Sequence, residues 1–184
     1  MENKYNIFFK IRSEFSILKK KFFFIKTIYN NQDLTSPHIL ITTWFGFGLI
    51  NPMSGTWGTI AALPLAYLVL QFSSLYLLLS LILVFYILGV LSIKKYFQPN
   101  KIFDRSEIVI DEVVGVWIAL INSNTNLIKW FMVFLIFRIL DIIKPWPANY
   151  FDKNTVSPHS IMLDDVVAGV YTLIIVEIFW YLVT

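Results

Sequence analysis

The chain has 184 residues, of which 57% are hydrophobic and only 15% are charged. Because soluble domains average about 25% charged residues, this composition excludes a disordered chain and argues against an ordinary soluble domain. The absence of cysteine excludes disulfides, thiolate-zinc and iron–sulfur sites and a cysteine-nucleophile phosphatase. A formal net charge of +3 is too small to indicate binding of nucleic acid.

Residues 1–33 form a basic N-terminal arm with seven Lys or Arg and three acids. Apolar side chains recur every three or four positions, at Ile11, Phe15, Leu18, Phe22 and Ile25. This spacing predicts an amphipathic basic helix that lies on the membrane surface. A poorly ordered basic tail is the alternative, and in either case the positive charge favours the cytoplasmic side.

Residues 34–184 are predicted to form a single membrane-embedded domain. From Leu34 to Ile93, 60 consecutive residues lack Asp, Glu, Lys and Arg, whereas one membrane helix needs about 20 apolar residues. Backbone in hydrocarbon must satisfy its own hydrogen bonds, so the predicted fold is all-α: a polytopic helical membrane protein with four to five membrane helices or re-entrant segments. The apolar stretches that predict them are Ile60 to Leu70, Ser73 to Ile93, Val113 to Ile128, Trp130 to Ile143 and Val166 to Val183, with a turn at Asn122 to Asn126.

Beyond the arm, eight of the nine acids fall in three short segments, which we expect to share the cytoplasmic face. In the first segment Glu107 and Asp111 are four residues apart and would share a helical face, with Glu112 beside them. Like charges at this spacing repel each other, whereas a divalent cation such as Mg²⁺ would use them as ligands. The alternative is a solvated acidic helix start, which the helix dipole favours.

The second segment places Arg138, Asp141 and Lys144 at intervals of three inside an apolar run. A charge at the middle of a membrane costs about 2.5–3.5 kcal/mol, so charges retained there usually have a function. Arg138 and Lys144 are predicted to bind phosphate, one as a planar fork and the other as a point charge. A structural Arg138–Asp141 pair within one helix is the alternative.

The third segment places Asp164 and Asp165 at the predicted mouth of the last helix. One acid there can cap free N–H groups, but two in succession suggest that at least one binds a metal ion. Upstream, the small residues of the sequence NPMSGTWGTIAALP, among them Thr56 and Thr59, precede an apolar helix and can present N–H groups and hydroxyls to an anion. Glu177, the remaining acid, is assigned no role.

Taken together, four segments resemble the phosphatidylglycerophosphatase A family of bacterial membrane phosphatases. The resemblance runs from about Ile39 to the end of the chain. Its motifs are FGFGLINPMSGTWGTIAALP, SEIVIDEVVG, FRILDIIKPWP followed by Phe151 and Asp152, and IMLDDVVAG. It implies an all-helical enzyme of the bacterial inner membrane that hydrolyses phosphatidylglycerophosphate with Mg²⁺. The functional residues it implies are Thr56, Thr59, Glu107, Asp111, Glu112, Arg138, Asp141, Lys144, Asp164 and Asp165.

Within this family we assign each group of residues a role. The metal ligands are predicted to be Asp111, Glu112, Asp164 and Asp165, and the substrate phosphate is predicted to contact Thr56, Thr59, Arg138 and Lys144. Catalytic roles are assigned to Glu107, Asp111, Asp141 and Asp165, where Asp141 either orients Arg138 or acts as the base. The predicted partner is a phospholipid substrate in the bilayer, which would meet the site on the cytoplasmic face.

The sequence departs from the family pattern at Ser157 to Ser160, where a glycine-rich turn is usual. His159 in this segment is either an acid that acts near neutral pH or a solvated bystander. Two rival functions remain. A CDP-alcohol phosphatidyltransferase would need an Asp-rich motif followed by Gly-Ala-Arg, which the sequence lacks. A small transport or assembly subunit would use the intramembrane charges for ion passage or pairing.

Overall fold

The computed structural model describes residues 36–72, 74–96, 105–154 and 157–183. Within these ranges the regular elements are all helices, which confirms the predicted all-α class. They are α1 (Pro37–Thr42), α2 (Ser54–Phe72), α3 (Leu75–Tyr96), α4 (Ile110–Ala119), α5 (Leu127–Ile143), α6 (Ala148–Asn154) and α7 (Pro158–Val183), with 3₁₀ turns at Phe47–Leu49 and Arg105–Glu107. The helix predicted in residues 1–33 lies outside the described residues.

Three helices, α2, α3 and α7, are long and apolar enough to cross a membrane, with 19, 22 and 26 residues. Between α3 and α7 in the chain, α4 has 10 residues and α5 has 17. A helix of the length of α4 is about 15 Å long, which is half the thickness of a bilayer's hydrocarbon core. The sequence predicts four to five membrane helices or re-entrant segments. The structure has three helices of spanning length and a shorter hairpin, α4–α5, among the described residues.

Two helix boundaries differ from the predicted ones because polar caps set them. The side-chain oxygen of Asn126 accepts hydrogen bonds from the N–H groups of Ile128 at 3.0 Å and Lys129 at 3.2 Å. This cap starts α5 at Leu127, so the predicted run from Val113 to Ile128 is divided among α4, a turn and the first two residues of α5.

The start of α7 is set by a reciprocal cap. The N–H of Ser160 donates to Ser157 Oγ at 3.1 Å, and the N–H of Ser157 donates to Ser160 Oγ at 3.0 Å. Pro158 occupies the first helical position, where its missing N–H has no cost. The helix therefore begins about two turns before the predicted Val166. The prediction that Asp164 and Asp165 lie at the helix mouth is wrong, since both lie within α7.

The short helix α4 forms the centre of the structure. Its residues Val113, Val114, Val116 and Trp117 are fully buried, and it contacts α2, α3, α5 and α7. The Trp117 indole N–H donates to the carbonyl oxygen of Ala62 in α2 at 3.0 Å. Because α4 is surrounded by the other helices, its first turn has a fixed position at one end of the bundle.

Helices α4 and α7 cross at glycines. A Cβ added to Gly169 would lie 2.3 Å from the Gly115 carbonyl oxygen, and one added to Gly115 would lie 2.6 Å from the Asp165 carbonyl oxygen. Any larger side chain would force the two backbones apart, so this close approach requires glycine. The crossing places the acids of the first turn of α4 beside the acids of α7.

Candidate active site

A cavity of about 390 Å³ lies at the end of the bundle where α2, α4 and α7 begin and α5 ends. The three acidic segments of the sequence converge on it, together with the loop that precedes α2. The lining residues are Asn51, Met53, Ser54, Gly55, Ser106, Ile108, Asp111, Glu112, Arg138, Asp141, Lys144, Ser160, Ile161, Asp164 and Asp165. Seven of the ten predicted site residues are among them.

Three carboxylates in this cavity form a tight group, which we call the acid triad: Asp111, Glu112 and Asp165. One oxygen from each lies within 4.8 Å of the others. Asp111 is 9% exposed and Asp165 only 3%. Three carboxylates held this close and this dry repel one another unless a positive charge lies among them.

The acid triad fits a divalent cation. Glu112 Oε2 and Asp165 Oδ1 are buried and have no hydrogen-bond partner, although such atoms are costly to leave unpaired. Oxygen atoms of this kind are the ligands that Mg²⁺ prefers. Among the described residues, the triad is therefore a group that could hold a metal ion.

Electrostatics in the first turn of α4 support this interpretation. Burial raises the pKa of the Asp111 carboxyl well above its usual range, and the charges of Glu112 and Asp165 raise it further. Burial also raises the pKa of Glu112. Their ionised forms are thus disfavoured in the protein alone, and a bound cation would favour them.

Arg138 faces the acid triad from α5. Its Nη1 lies 2.8 Å from Asp141 Oδ2 and 3.8 Å from Glu112 Oε1, and it donates a hydrogen bond to Thr59 Oγ1 at 3.3 Å. The Arg138–Asp141 pair within one helix is therefore present. Both residues also line the cavity, and the buried Arg138 Nε has no hydrogen-bond partner. The ion pair with Asp141 is compatible with the role predicted for Arg138 in the site, because Asp141 fixes the direction of the guanidinium group.

Lys144 and Asp164 form a further ion pair in the cavity. Lys144 ends α5 in the left-handed backbone conformation, with φ of 49°, and its Nζ lies 2.6 Å from Asp164 Oδ2. The sequence predicts Asp164 as a metal ligand together with Asp165. In the structure Asp164 contacts Lys144 and is not part of the acid triad.

The model of the phosphatidylglycerophosphatase A family matches residues 40–180 of this chain. The chain belongs to this family. It is 35% identical over 144 residues to the phosphatidylglycerophosphatase A of Haemophilus influenzae, covering 78% of this chain and 88% of that protein. It is 38% identical over 142 residues to the Escherichia coli phosphatidylglycerophosphatase A, covering 74% and 80%.

A third relative comes from Bacteroides thetaiotaomicron and is named, provisionally, a phosphatidylinositol-3-phosphatase. It is 33% identical over 147 residues, covering 76% of this chain and 91% of that protein. No solved structure matches the chain. The family assignment confirms the resemblance inferred from the sequence and the prediction of a phosphatase enzyme.

Three residues predicted for the phosphatidylglycerophosphatase A site are not among the residues that line the cavity: Glu107, Thr56 and Thr59. Glu107 is 5% exposed and accepts a hydrogen bond from the Tyr96 hydroxyl at 2.6 Å. The prediction that Glu107 and Asp111 share a helical face is wrong, because α4 begins only at Ile110 and Glu107 lies in the preceding 3₁₀ turn. Thr59 Oγ1 donates to the Gly55 carbonyl at 2.8 Å and supports Arg138, while Thr56 Oγ1 is buried without a partner.

Some residues of the cavity wall had no assigned role in the sequence. Gly55 makes room for the site, since a Cβ there would lie 2.1 Å from Glu112 Oε1 and 3.0 Å from Arg138 Nη2. The hydroxyl of Ser54 donates to the Ser106 carbonyl and ties the start of α2 to the segment before α4. The sequence shows the small residues of this segment but not which of them touches the acids.

The departure from the family pattern, Ser157 to Ser160, is the reciprocal cap of α7. Ser160 lines the cavity and is 3% exposed. His159 is exposed, with its Nδ1 3.4 Å from the Tyr86 hydroxyl, and is not among the lining residues. This position favours the bystander interpretation of His159 over a role as an acid.

Proposed function

We propose that this protein hydrolyses phosphatidylglycerophosphate to phosphatidylglycerol and phosphate, with Mg²⁺ as its cofactor, in phospholipid biosynthesis. The observation that carries the proposal is the cavity in which the acid triad lies beside Arg138 and Lys144. A cavity with carboxylates alone would repel a phosphate dianion. A cavity that bound phosphate through Arg138 and Lys144 alone would not need the acid triad. A metal-assisted phosphomonoesterase uses both.

The acid triad, Asp111, Glu112 and Asp165, would hold the ion. Bound there, Mg²⁺ supplies charge neutralisation for a phosphate and acidifies water. Asp164 has a separate task, since its ion pair with Lys144 holds the ammonium group at the cavity wall.

Arg138 and Lys144 bind the phosphate of the substrate. The guanidinium is fixed by Asp141 and Thr59 and offers a planar pair of donors, while the ammonium group of Lys144 is a point charge. Such preorganised donors stabilise the charge that spreads over the phosphoryl oxygens in the transition state. Asp141 serves in this scheme as the residue that orients Arg138.

The reaction is a hydrolysis. Water adds its oxygen to phosphorus, the bond between phosphorus and the glycerol oxygen breaks, and the leaving alkoxide takes up a proton derived from that water. The products are phosphatidylglycerol and inorganic phosphate, and no further reactant is required.

The site is proposed to open on the cytoplasmic face of the bacterial inner membrane. Lys94 and Lys95 are exposed at the end of α3, and the contact between Tyr96 and Glu107 places that end beside the cavity. Positive charge at the end of a membrane helix favours the cytoplasm. The phospholipid substrate would keep its acyl chains in the bilayer while its phosphate enters the cavity.

The test is phosphate release from phosphatidylglycerophosphate in detergent micelles by the purified protein, with Mg²⁺ and then with EDTA. We expect release that requires the metal and falls at least about 10³-fold in Asp111→Asn and Asp165→Asn. Glu177→Gln is the matched control, because it makes the same carboxylate-to-amide change at the other end of α7. Phosphatidylinositol 3-phosphate, assayed in parallel, tests the substrate class of the third relative.

Two results would contradict the proposal. One is the absence of release by folded wild-type protein with metal and lipid. The other is full activity in both Asp→Asn variants.

A further inference from the structure

The segment that precedes α2 carries three exposed apolar side chains, one of which, Met53, lines the cavity. Phe45 is 64% exposed, Phe47 is 41% exposed and Met53 is 63% exposed. We call these three residues the apolar rim. Phe47 belongs to the 3₁₀ turn that contacts α2 and the Arg105–Glu107 turn before α4, Phe45 lies two residues before it in the chain, and Met53 lines the cavity.

The backbone holds the apolar rim in a defined conformation. Phe45 and Met53 have φ of 55° and 66°, in the left-handed region that non-glycine residues rarely adopt. Between Phe45 and Phe47, Gly46 has φ of 93°. Phe45 and Met53 are exposed in this conformation. The positive φ angles do not require an apolar side chain at either position.

The segment is also anchored to the core through the buried ring of Trp44. Trp44, next to Phe45, is 3% exposed and makes edge-on ring contacts with Phe85 at 5.3 Å and Trp117 at 5.6 Å. The N–H of Gly48 donates to the Thr43 carbonyl at 2.9 Å. The exposed aromatic ring is therefore attached to the buried core through its direct neighbour.

The apolar rim is continuous with the cavity, because Met53 is both exposed and part of the cavity wall. The charged groups lie deeper, on α4, α5 and α7. A ligand whose phosphate reaches Arg138 would leave the cavity past Met53. Along that path the protein presents charged residues first and apolar residues second. A phospholipid has the same order, with the phosphate first and the acyl chains after it.

We propose that the apolar rim binds the glycerol-ester and proximal acyl region of the phospholipid whose phosphate occupies the cavity. The inference rests on the proposed function and adds the part of the substrate that the charged site does not contact. It makes the rim a determinant of lipid affinity, whereas turnover depends on the charged residues. Two other occupants could cover the apolar rim: bulk lipid and a second copy of the chain.

The experiment uses Phe45→Asn and Met53→Asn in the full-length protein. Asparagine tolerates the left-handed conformation better than other non-glycine residues, so each change removes apolar surface while retaining the backbone. Phosphatidylglycerophosphate is presented in mixed micelles at increasing mole fraction, and inorganic phosphate serves as a competitive inhibitor. Phe72→Asn is the matched control, since Phe72 is 74% exposed at the opposite end of α2.

We expect each rim variant to raise the KM for the lipid by about tenfold, because the apolar contact is made equally in the ground and transition states. The kcat and the inhibition constant of inorganic phosphate should stay within about twofold of wild type. Phe72→Asn should leave all three quantities unchanged.

Three results would overturn the inference. An unchanged KM in both rim variants removes the rim from substrate binding, and an equal rise in Phe72→Asn assigns the effect to bulk lipid. A rise that accompanies a change of oligomeric state in size-exclusion chromatography assigns the surface to a second copy. Failure of the proposed function is distinguishable from these, because wild-type protein would then release no phosphate from the lipid.

Discussion

Helices α5 and α7 carry charged residues at both ends, and the two ends are built differently. Far from the cavity, Lys129 Nζ lies 2.6 Å from Glu177 Oε1 and 3.1 Å from the Asn122 carbonyl, and 5.5 Å from the centre of the Trp180 ring. One cation and one acid balance each other there. The Lys129 side chain, 8% exposed, has a partner on each of these sides.

At the cavity the charges do not balance. Five acids and two basic residues line it: Asp111, Glu112, Asp141, Asp164 and Asp165 against Arg138 and Lys144. Buried polar atoms of Glu112, Arg138 and Asp165 have no partner. Buried like charges and unpaired polar atoms are costly by themselves, and the acid triad among them could hold a metal ion.

The comparison gives a criterion for intramembrane charges. An ion pair whose members satisfy each other is explained by packing, and Glu177 now has this structural role. A buried group with surplus charge and orphaned donors or acceptors is costly to the fold and is therefore a candidate binding site. A hydropathy profile scores the charged residues at both ends of the bundle in the same way. The two groups differ only when the hydrogen-bond and ion-pair partners of each atom are examined.

Arg138→Lys and Lys129→Arg compare the cations at the two ends of the bundle. We expect Arg138→Lys to lower kcat/KM for phosphatidylglycerophosphate by about 10²-fold, because an ammonium group cannot contact Asp141, Thr59 and a phosphate in one plane. Lys129→Arg should stay within about twofold of wild type, since it retains the charge far from the cavity. Equal losses in the two variants, measured on folded protein, would mean that the two ends do not differ in function.

The second prediction concerns stability at the distal pair. Lys129→Met should lower the free energy of unfolding by about 2 kcal/mol, because it leaves Glu177 without its partner. A double-mutant cycle with Glu177→Gln should give a coupling of about 1 kcal/mol, measured by denaturant titration in detergent. The kcat/KM of each folded variant should remain near that of wild type. A large loss of activity without loss of stability would contradict a purely structural role.

Much of the fold and part of the site could be predicted from the sequence. The uncharged run from Leu34 to Ile93 is too long for a soluble core, so the helical membrane class follows from composition. The spacing of three between Arg138 and Asp141 predicts neighbours on one helix, and their distance of 2.8 Å agrees with it. Such predictions depend on local sequence and on the high cost of charge in hydrocarbon.

The division of labour between adjacent acids could not be predicted. Asp164 and Asp165 point about 100° apart around α7, so one contacts Lys144 and the other joins the acid triad. The rotation of α7 about its axis decides which of the two acids contacts Lys144 and which joins the acid triad. That rotation is set by the crossing of α7 with α4 at Gly115 and Gly169. The spacing of four positions between Glu107 and Asp111 predicts one helix for both, but the helix begins at Ile110, after Glu107.

The smallest expected effect tests the surplus charge itself. Asp111→Asn keeps the side-chain oxygen that accepts from the Glu112 N–H at 3.1 Å but removes one negative charge from the acid triad. In metal-free protein this change should raise stability by about 1 kcal/mol, or about 2–4 °C in Tm, because burial and like-charge repulsion disfavour the ionised carboxyl.

Thermal unfolding followed by circular dichroism, in EDTA and in Mg²⁺, measures this effect. Wild-type protein should gain Tm when Mg²⁺ is added, because the metal binds the folded state, and Asp111→Asn should lose most of that gain. Glu177→Gln should show the opposite pattern, with a lower Tm in EDTA and an undiminished response to Mg²⁺, since its charge is already balanced by Lys129. If Asp111→Asn instead lowered the metal-free Tm as Glu177→Gln does, its carboxylate would be a structural partner, and the acid triad would have to be explained by packing.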